Sequence, residues 1–465
     1  MPTLSSDTPD GAKKNGGTAT EPGPEPDGDD AASVSHVLSG HAGSRARDLQ
    51  NGFTIEAPSR LGGARAAGGV TLQRSALSRT SIRLLFLIPG AIALLSGLDA
   101  ALLLLGVWSP VMTERLPVVH GPLLVFGFVG TVITLERAVA VRRWWGFGSP
   151  SFYGLGGILL LTPLPIQVGQ VLFGLGGVVL LFIYLAIWRR QKMLSSAIQS
   201  LGAFLAVASA LLWIGGYDAD ALVPGMAGFM VLTIAGERVE LARLVTLSKT
   251  TERTAFGVCA GQAVGVLMAM LWPAVGYPIF GLSLIAVVAW LAVFDAAPRL
   301  AKLPGLPRYI ALCLLAGYGW LIVAGLIWTV AGPVTNGPWY DGAVHSVFLG
   351  FTIAMIMAHA PVILPAVLRR PLPYYPIFAL PVILLNASLV LRILIGDLYS
   401  IPLMVQIGGI VNVIALLLFV IFSVISVVRG KQPARVPALP RTGVWAARSV
   451  APSPAAVAPA PEEAS

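Results

Sequence analysis

Charge is scarce in this chain: of its 465 residues, only 11% are Asp, Glu, Lys or Arg. A soluble domain carries about 25%, so the sequence has too little charge to cover a large core in water. Cysteine is scarcer still. Cys259 and Cys313 both fall within apolar runs and form neither a disulfide framework nor a CxxC pair, so they read as packing residues. An early apolar segment is also missing, which argues against a secretory signal. Histidine numbers five, and two of these, His36 and His41, sit in the polar N-terminal stretch where no role suggests itself.

What is abundant is apolar length. Hydrophobic residues make up 56% of the chain and the mean hydropathy is +0.79. The charges gather in two tails and in short gaps between long apolar runs, the pattern of bilayer spans. Residues 1–80, rich in Gly, Pro, Ser, Asp and Arg, read as a disordered cytoplasmic tail, and 431–465, rich in Pro and Ala, as a second one. The span-bearing domain is 81–430. A span needs about 20 apolar residues to cross roughly 30 Å of hydrocarbon. Runs of that kind fall at 84–107, 117–137, 149–166, 168–188, 194–215, 221–240, 255–274, 277–297, 309–331, 342–364, 376–396 and 402–428. Pro163, Pro165, Pro273 and Pro278 mark the two tightest turns.

The net charge of +9 does not point to nucleic acid, because the cations recur in small clusters at alternate span ends. Arg142 and Arg143 follow the second span, Arg189, Arg190 and Lys192 the fourth, Arg243, Lys249 and Arg253 the sixth. Arg299, Lys302 and Arg308 follow the eighth, Arg369 and Arg370 the tenth, Arg429 and Lys431 the twelfth. The other connections carry Asp218, Asp220, Asp341 and Asp397. By the positive-inside rule, both termini are cytoplasmic and the chain sits in a bacterial-type inner membrane with the lipid bilayer as its main partner.

A repeat supports the count. GFVGTVITLER from Gly127, GFMVLTIAGER from Gly228 and GFTIAMIMAHA from Gly350 share Gly, Phe, Ile and a final titratable residue: Glu136, Glu237 and His359. They recur in spans two, six and ten, all running outside to inside. The expected fold is therefore all-α and polytopic, about twelve transmembrane helices in three parallel four-helix repeats. The glycines also have the plainer reading of close helix packing.

Ionisable groups in lipid default to function or to mutual pairing. His120 and His345 lie near the outer ends of spans two and ten, within roughly 3 Å in depth, and their two-residue offset relative to the repeat turns them by about 200°. Two facing imidazoles suit a bis-histidine haem, or less specifically copper or zinc. The plainer alternative is that each bonds a carbonyl at the interface. About 20 Å deeper, Glu136, Glu237 and His359 form a second layer with Arg137 and Arg238 beside them, able to bind a metal or pass protons. An ion-pair network fastening the units together is the favoured reading of that layer. Asp99 and Arg392 are further buried-charge candidates, Asp99 as a proton relay or the partner of a cation. Met355, one turn before His359, offers a soft copper ligand or a gap filler.

The stretches VVHGPLLVFGF from Val118 and AVHSVFLGFTIAMIMAHAPVILP from Ala343 resemble NnrS-type membrane proteins. These are distant relatives of haem–copper oxidase subunit I, linked to haem, copper and nitric-oxide stress. The resemblance implies that His120 and His345 are haem ligands, that copper is a second candidate cofactor, and that a redox partner exists. The oxidases also need histidines on helices six and seven, and spans six and seven here contain none. The implied function is haem binding in nitric-oxide tolerance or electron transfer, without an oxygen-reducing centre. The alternative from another class is a proton- or ion-coupled transporter using Glu136, Glu237, His359 and Asp99.

Overall fold

The computed structural model describes residues 69–243, 247–368 and 372–430, and among these every regular element is helical. The tails expected at 1–80 and 431–465 lie outside the described residues, except that the first helix already begins at Gly69. Arg369 and Arg370 lie outside them too.

Twelve helices longer than ten residues follow in order among the described residues: α1 (Gly69–Leu104), α2 (Arg115–Val141), α3 (Gly148–Leu160), α4 (Ile166–Gln191), α5 (Leu194–Ile214) and α6 (Val223–Arg243). Then come α7 (Lys249–Leu271), α8 (Pro273–Phe294), α9 (Leu306–Ala331), α10 (Gly337–Pro365), α11 (Pro376–Asp397) and α12 (Pro402–Arg429). Ten are long and apolar enough to cross a membrane, the build of a multi-pass membrane protein. The other two are α3, which has 13 residues, and α6, whose final turns carry Glu237, Arg238, Glu240 and Arg243.

Local sequence explains most of the ends. Proline suits the first helical position, where its missing N–H removes nothing, so α8 starts at Pro273 and Pro278 falls inside the helix instead of in the turn. Ser248 caps α7 by accepting from the Thr251 N–H at 3.1 Å. Three helices depart from α geometry: α2 over Leu123–Gly130, α10 over Ser346–Ile353 and α11 over Val390–Asp397 are wound as π-helix.

Packing follows the small residues. A Cβ on Gly127 would meet Ala93 of α1 at 3.1 Å and the Gly157 backbone of α3 at 3.4 Å. One on Gly228 would meet Leu205 of α5 at 2.6 Å and Val266 of α7 at 2.9 Å, and one on Gly350 would strike Trp320 of α9 at 2.4 Å. Gly127 and Gly228 thus admit the helices on either side in sequence, and Gly350 admits the preceding one. An aromatic cluster ties α2 to α4, α5 and α6: Phe126 lies 5.4 Å from Phe173 and 6.3 Å from Phe229, and Phe173 lies 6.2 Å from Trp213 by ring centroids.

Two arginines fix the first helices at their ends. Arg115, opening α2, donates to the carbonyls of Thr162 and Leu164 in the α3–α4 turn. Arg190, closing α4, donates to the Val141 carbonyl at the end of α2, 3.2 Å away.

Candidate functional site: two layers of buried polar groups

The layer at the α2 start and the α10 start holds both expected ligand histidines. Nδ1 of His120 lies 3.0 Å from the Gly97 carbonyl of α1. Nδ1 of His345 lies 2.9 Å from the Asp341 carbonyl and 3.1 Å from Asp341 Oδ1, one turn earlier on α10. A carbonyl can only accept, so each Nδ1 carries a proton, and in the neutral form of either ring Nε2 is the nitrogen with the lone pair. Neither Nε2 has a hydrogen-bond partner among the described residues. His120 is within electrostatic reach of His345, Asp341 and Arg392.

Asp341 is the hinge of this layer. Arg392 of α11 grips it with two hydrogen bonds, Nε to Oδ2 at 2.7 Å and an η-nitrogen to Oδ1 at 2.6 Å. Asp397, at the end of the same π-wound stretch, is buried with its carboxyl beside Asp341. Arg392 was visible in the sequence as a buried charge, whereas Asp341 and Asp397 read there as ordinary outer-side acids. Asp99 stands apart: Ser109 Oγ donates to its Oδ1 at 2.7 Å and the Val111 N–H to its Oδ2 at 3.2 Å. Its partners are a loop hydroxyl and a loop amide, and it fastens the segment after α1.

The second layer lies where α2, α6 and α10 end. An η-nitrogen of Arg137 donates to Glu237 Oε1 at 2.5 Å and lies 3.4 Å from Glu136 Oε1. Arg238 grips Asp295, which follows α8, through Nε at 2.9 Å and an η-nitrogen at 2.5 Å. Tyr318 of α9 donates its hydroxyl to the same carboxylate. Burial alone would raise the Asp295 carboxyl, but the Arg238 guanidinium, the Tyr318 hydroxyl and the Ala296 N–H outweigh it and hold it below the ordinary carboxylate range. His359 bonds the Met355 carbonyl through Nδ1 at 2.7 Å, and its Nε2 lies 3.4 Å from Arg238.

The equivalence of Glu136, Glu237 and His359 holds to this extent: all three line one cavity. They do not converge as three metal ligands, since among the described residues no three His, Cys, Asp or Glu side chains are grouped to hold a metal ion. The arginines come between them, and opposite charges at contact distance in a buried site favour the paired state. The Met355 methyl lies against Gly317 in the packing with α9, 2.9 Å from where a Cβ would stand. Asp295 and Tyr318 had escaped notice. The available signal was that Asp295 is a lone acid at a span end where cations prevail.

The shared cavity, about 460 Å³, lies between α1, α2, α6, α10 and α12. Its walls are aliphatic, with Thr233, Thr352 and Ser423 among the few polar residues besides the second layer.

No curated protein and no solved structure matches the chain. One family model does, over residues 83–428, the stretch that contains all of α2 to α11 and nearly all of α12. The chain therefore belongs to the family described as a domain of unknown function, DUF8744.

Proposed function

We propose that the chain is an inner-membrane haem protein with His120 and His345 as the two axial ligands, acting in electron transfer or nitric-oxide tolerance and lacking an oxygen-reducing centre. The observation that carries this reading is the pair of imidazoles on α2 and α10, each with Nδ1 committed to a backbone carbonyl and Nε2 without a hydrogen-bond partner among the described residues. That is the tautomer and orientation an iron ligand needs. Haem between two imidazoles supplies one-electron transfer at its iron and offers no open position.

The protein's own groups do the rest. The carboxylate of Asp341 at Nδ1 would orient the His345 ring, as outer carboxylates do for metal-bound imidazoles. Arg392 keeps that carboxylate oriented. His345 directly precedes a π-wound stretch, and His120 lies shortly before another, with Gly121 and Pro122 between; such winding recurs at functional sites because it shifts side chains out of α register. Spans six and seven carry no histidine, so the ligands for a second catalytic metal are missing from the positions where the resemblance would require them.

The architecture we propose is twelve crossings in three parallel groups of four, with both termini cytoplasmic. The repeat glycines support it, since Gly127 and Gly228 each pack on both neighbours within their own group and Gly350 on the preceding helix of its own. The alternation of cations and acids along the chain supports the orientation.

Absorption spectroscopy tests the haem reading. Protein purified from haem-replete cells is expected to show a Soret band that His120→Ala and His345→Ala each remove while the protein remains folded. A colourless wild-type preparation would overturn it.

A further inference from the structure

We propose that the cavity between α1, α2, α6, α10 and α12 holds one acyl chain of an anionic phospholipid whose headgroup lies at Arg429. The case begins with depth. On α1, α2, α10 and α12 the lining starts at Leu94, Phe128, Thr352 and Leu416, each at or next to the middle of its span. From there it runs toward the end at which α1 begins and α12 finishes, as far as Leu87, Glu136, Leu364 and Val428. On α12 the lined stretch from Leu416 to Val428 rises about 18 Å at about 1.5 Å per residue. One leaflet is about 15 Å deep, half of a hydrocarbon core of about 30 Å. The cavity therefore occupies a single leaflet, from the midplane to the headgroups.

Its opening and its walls say what fills it. Ala91 of α1 and Val424 and Val428 of α12 line the cavity and are exposed, the two valines at 56% and 75%. The cavity thus opens sideways between the first and last helices, onto lipid. At their other ends these helices close up: Gln406 donates to the Leu105 carbonyl at 2.9 Å, and a Cβ on Gly409 would stand 2.6 Å from the Leu105 side chain. The wall is almost wholly apolar even beside Glu136 and Glu237, which are paired with Arg137. Such a surface does not hold water, and a ligand carrying hydrogen-bonding groups would find few partners along it. Packed interiors leave few voids larger than a water molecule, whereas this one measures about 460 Å³. An acyl chain is flexible, is already the local solvent, and gains contact along the whole length of the cavity. Arg429 directly follows Val428 and is exposed, which puts a cation at the depth where an anionic headgroup would sit. The chain would touch helices of all three proposed groups of four, and so would act as part of the packing between them.

Native mass spectrometry of protein exchanged into dioleoylphosphatidylglycerol and then washed with detergent tests this directly. One phosphatidylglycerol per chain is expected to remain after the surrounding lipid has been removed. Ile356→Trp, which fills the cavity from α10, and Val424→Trp, which closes its exposed rim, should each lose it. Leu211→Trp, on an exposed face of α5, should keep it. Arg429→Gln should bind it about fivefold more weakly, the scale of one surface cation against an anionic headgroup. A melting assay separates lost binding from lost folding. Added phosphatidylglycerol should raise the melting temperature of delipidated wild type and of Leu211→Trp, and leave those of the two filled variants unmoved. No lipid retained by wild type, full retention by both filled variants, or no effect of Arg429→Gln would each overturn the proposal. The measurement needs no bound haem, so its failure would leave the Soret test untouched, and the reverse holds too.

Discussion

Asp295 and Arg238 show what a single residue does in this protein. Their side chains are 1% and 4% exposed, and removing one partner of such a pair strands a charge in a low-dielectric setting. Asp295→Ala should therefore lower stability by about 3–5 kcal/mol, read as a drop in melting temperature of the purified protein. The combined Asp295→Leu, Arg238→Met variant should be less damaged than Asp295→Ala alone, because no charge is left without its partner. The pH dependence has a definite sign. The folded Asp295 carboxyl is held below its ordinary value, so its contribution is fully present above about pH 4 and is lost as pH falls through the lowered value. Acidification below about pH 4 should depress the wild-type melting temperature more steeply than that of Asp295→Asn. At the other layer, Asp341→Asn should leave the His345 Nδ1–H bonded to its backbone carbonyl but remove the carboxylate. If His345 binds haem iron, titration should show affinity weaker by about 10–100-fold, the usual effect of losing an outer carboxylate. Glu136, Glu237, His120 and His345 were legible in the sequence because a titratable group in an apolar run stands out. Asp295 was not, since its partner lies on a helix that only folding brings near.

The helices themselves were legible from apolar length and from proline and cation punctuation, which place most ends within a few residues, the starts of α1 and α7 and the end of α3 excepted. The π-wound turns were not. An extra residue per turn leaves no mark in composition, and the residues it reorients, from Leu123 to Gly130 and from Ser346 to Ile353, are ordinary membrane residues. The winding also changes the rotation between His120 and its Gly-Phe pair, so the offset of about 200° expected from uniform α geometry does not carry over. Helix contacts were legible only where glycines recur. The crossing of α8 and α9 is one that the repeat did not announce. A Cβ on Gly281 would stand 2.5 Å from the Gly325 carbonyl oxygen and 2.7 Å from the Thr329 nitrogen, both backbone atoms that cannot swing aside. Gly281→Ala should push these helices apart and destabilise the protein by about 1–3 kcal/mol. Gly319→Ala, on α9 with open space around its Cβ position, should be near neutral in the same melting assay.

For the whole molecule, the proposed count of twelve crossings turns on α3. Its 13 residues at about 1.5 Å each reach only about 20 Å, short of a core of about 30 Å. The helical turn Trp144–Phe147 precedes it without a break, and four 3-10 residues at about 2.0 Å each bring the pair to about 28 Å. Arg115 then ties the α3–α4 turn to the start of α2, while Arg190 ties the end of α4 to the end of α2. If α2 crosses, as its length and apolarity allow, its two ends lie on opposite faces, and those two ties then carry α3 from one face to the other. Replacing the buried Cys259 and Cys313 by alanine gives a background for single-cysteine labelling. In intact cells, an impermeant maleimide should label cysteine at exposed Leu164 as readily as at Asp218 in the α5–α6 loop, and cysteine at Lys302 only after the membrane is opened. If the cysteine at 164 behaves like the one at 302, α3 does not cross, the later helices lose their assigned direction, and the three-unit architecture fails with them.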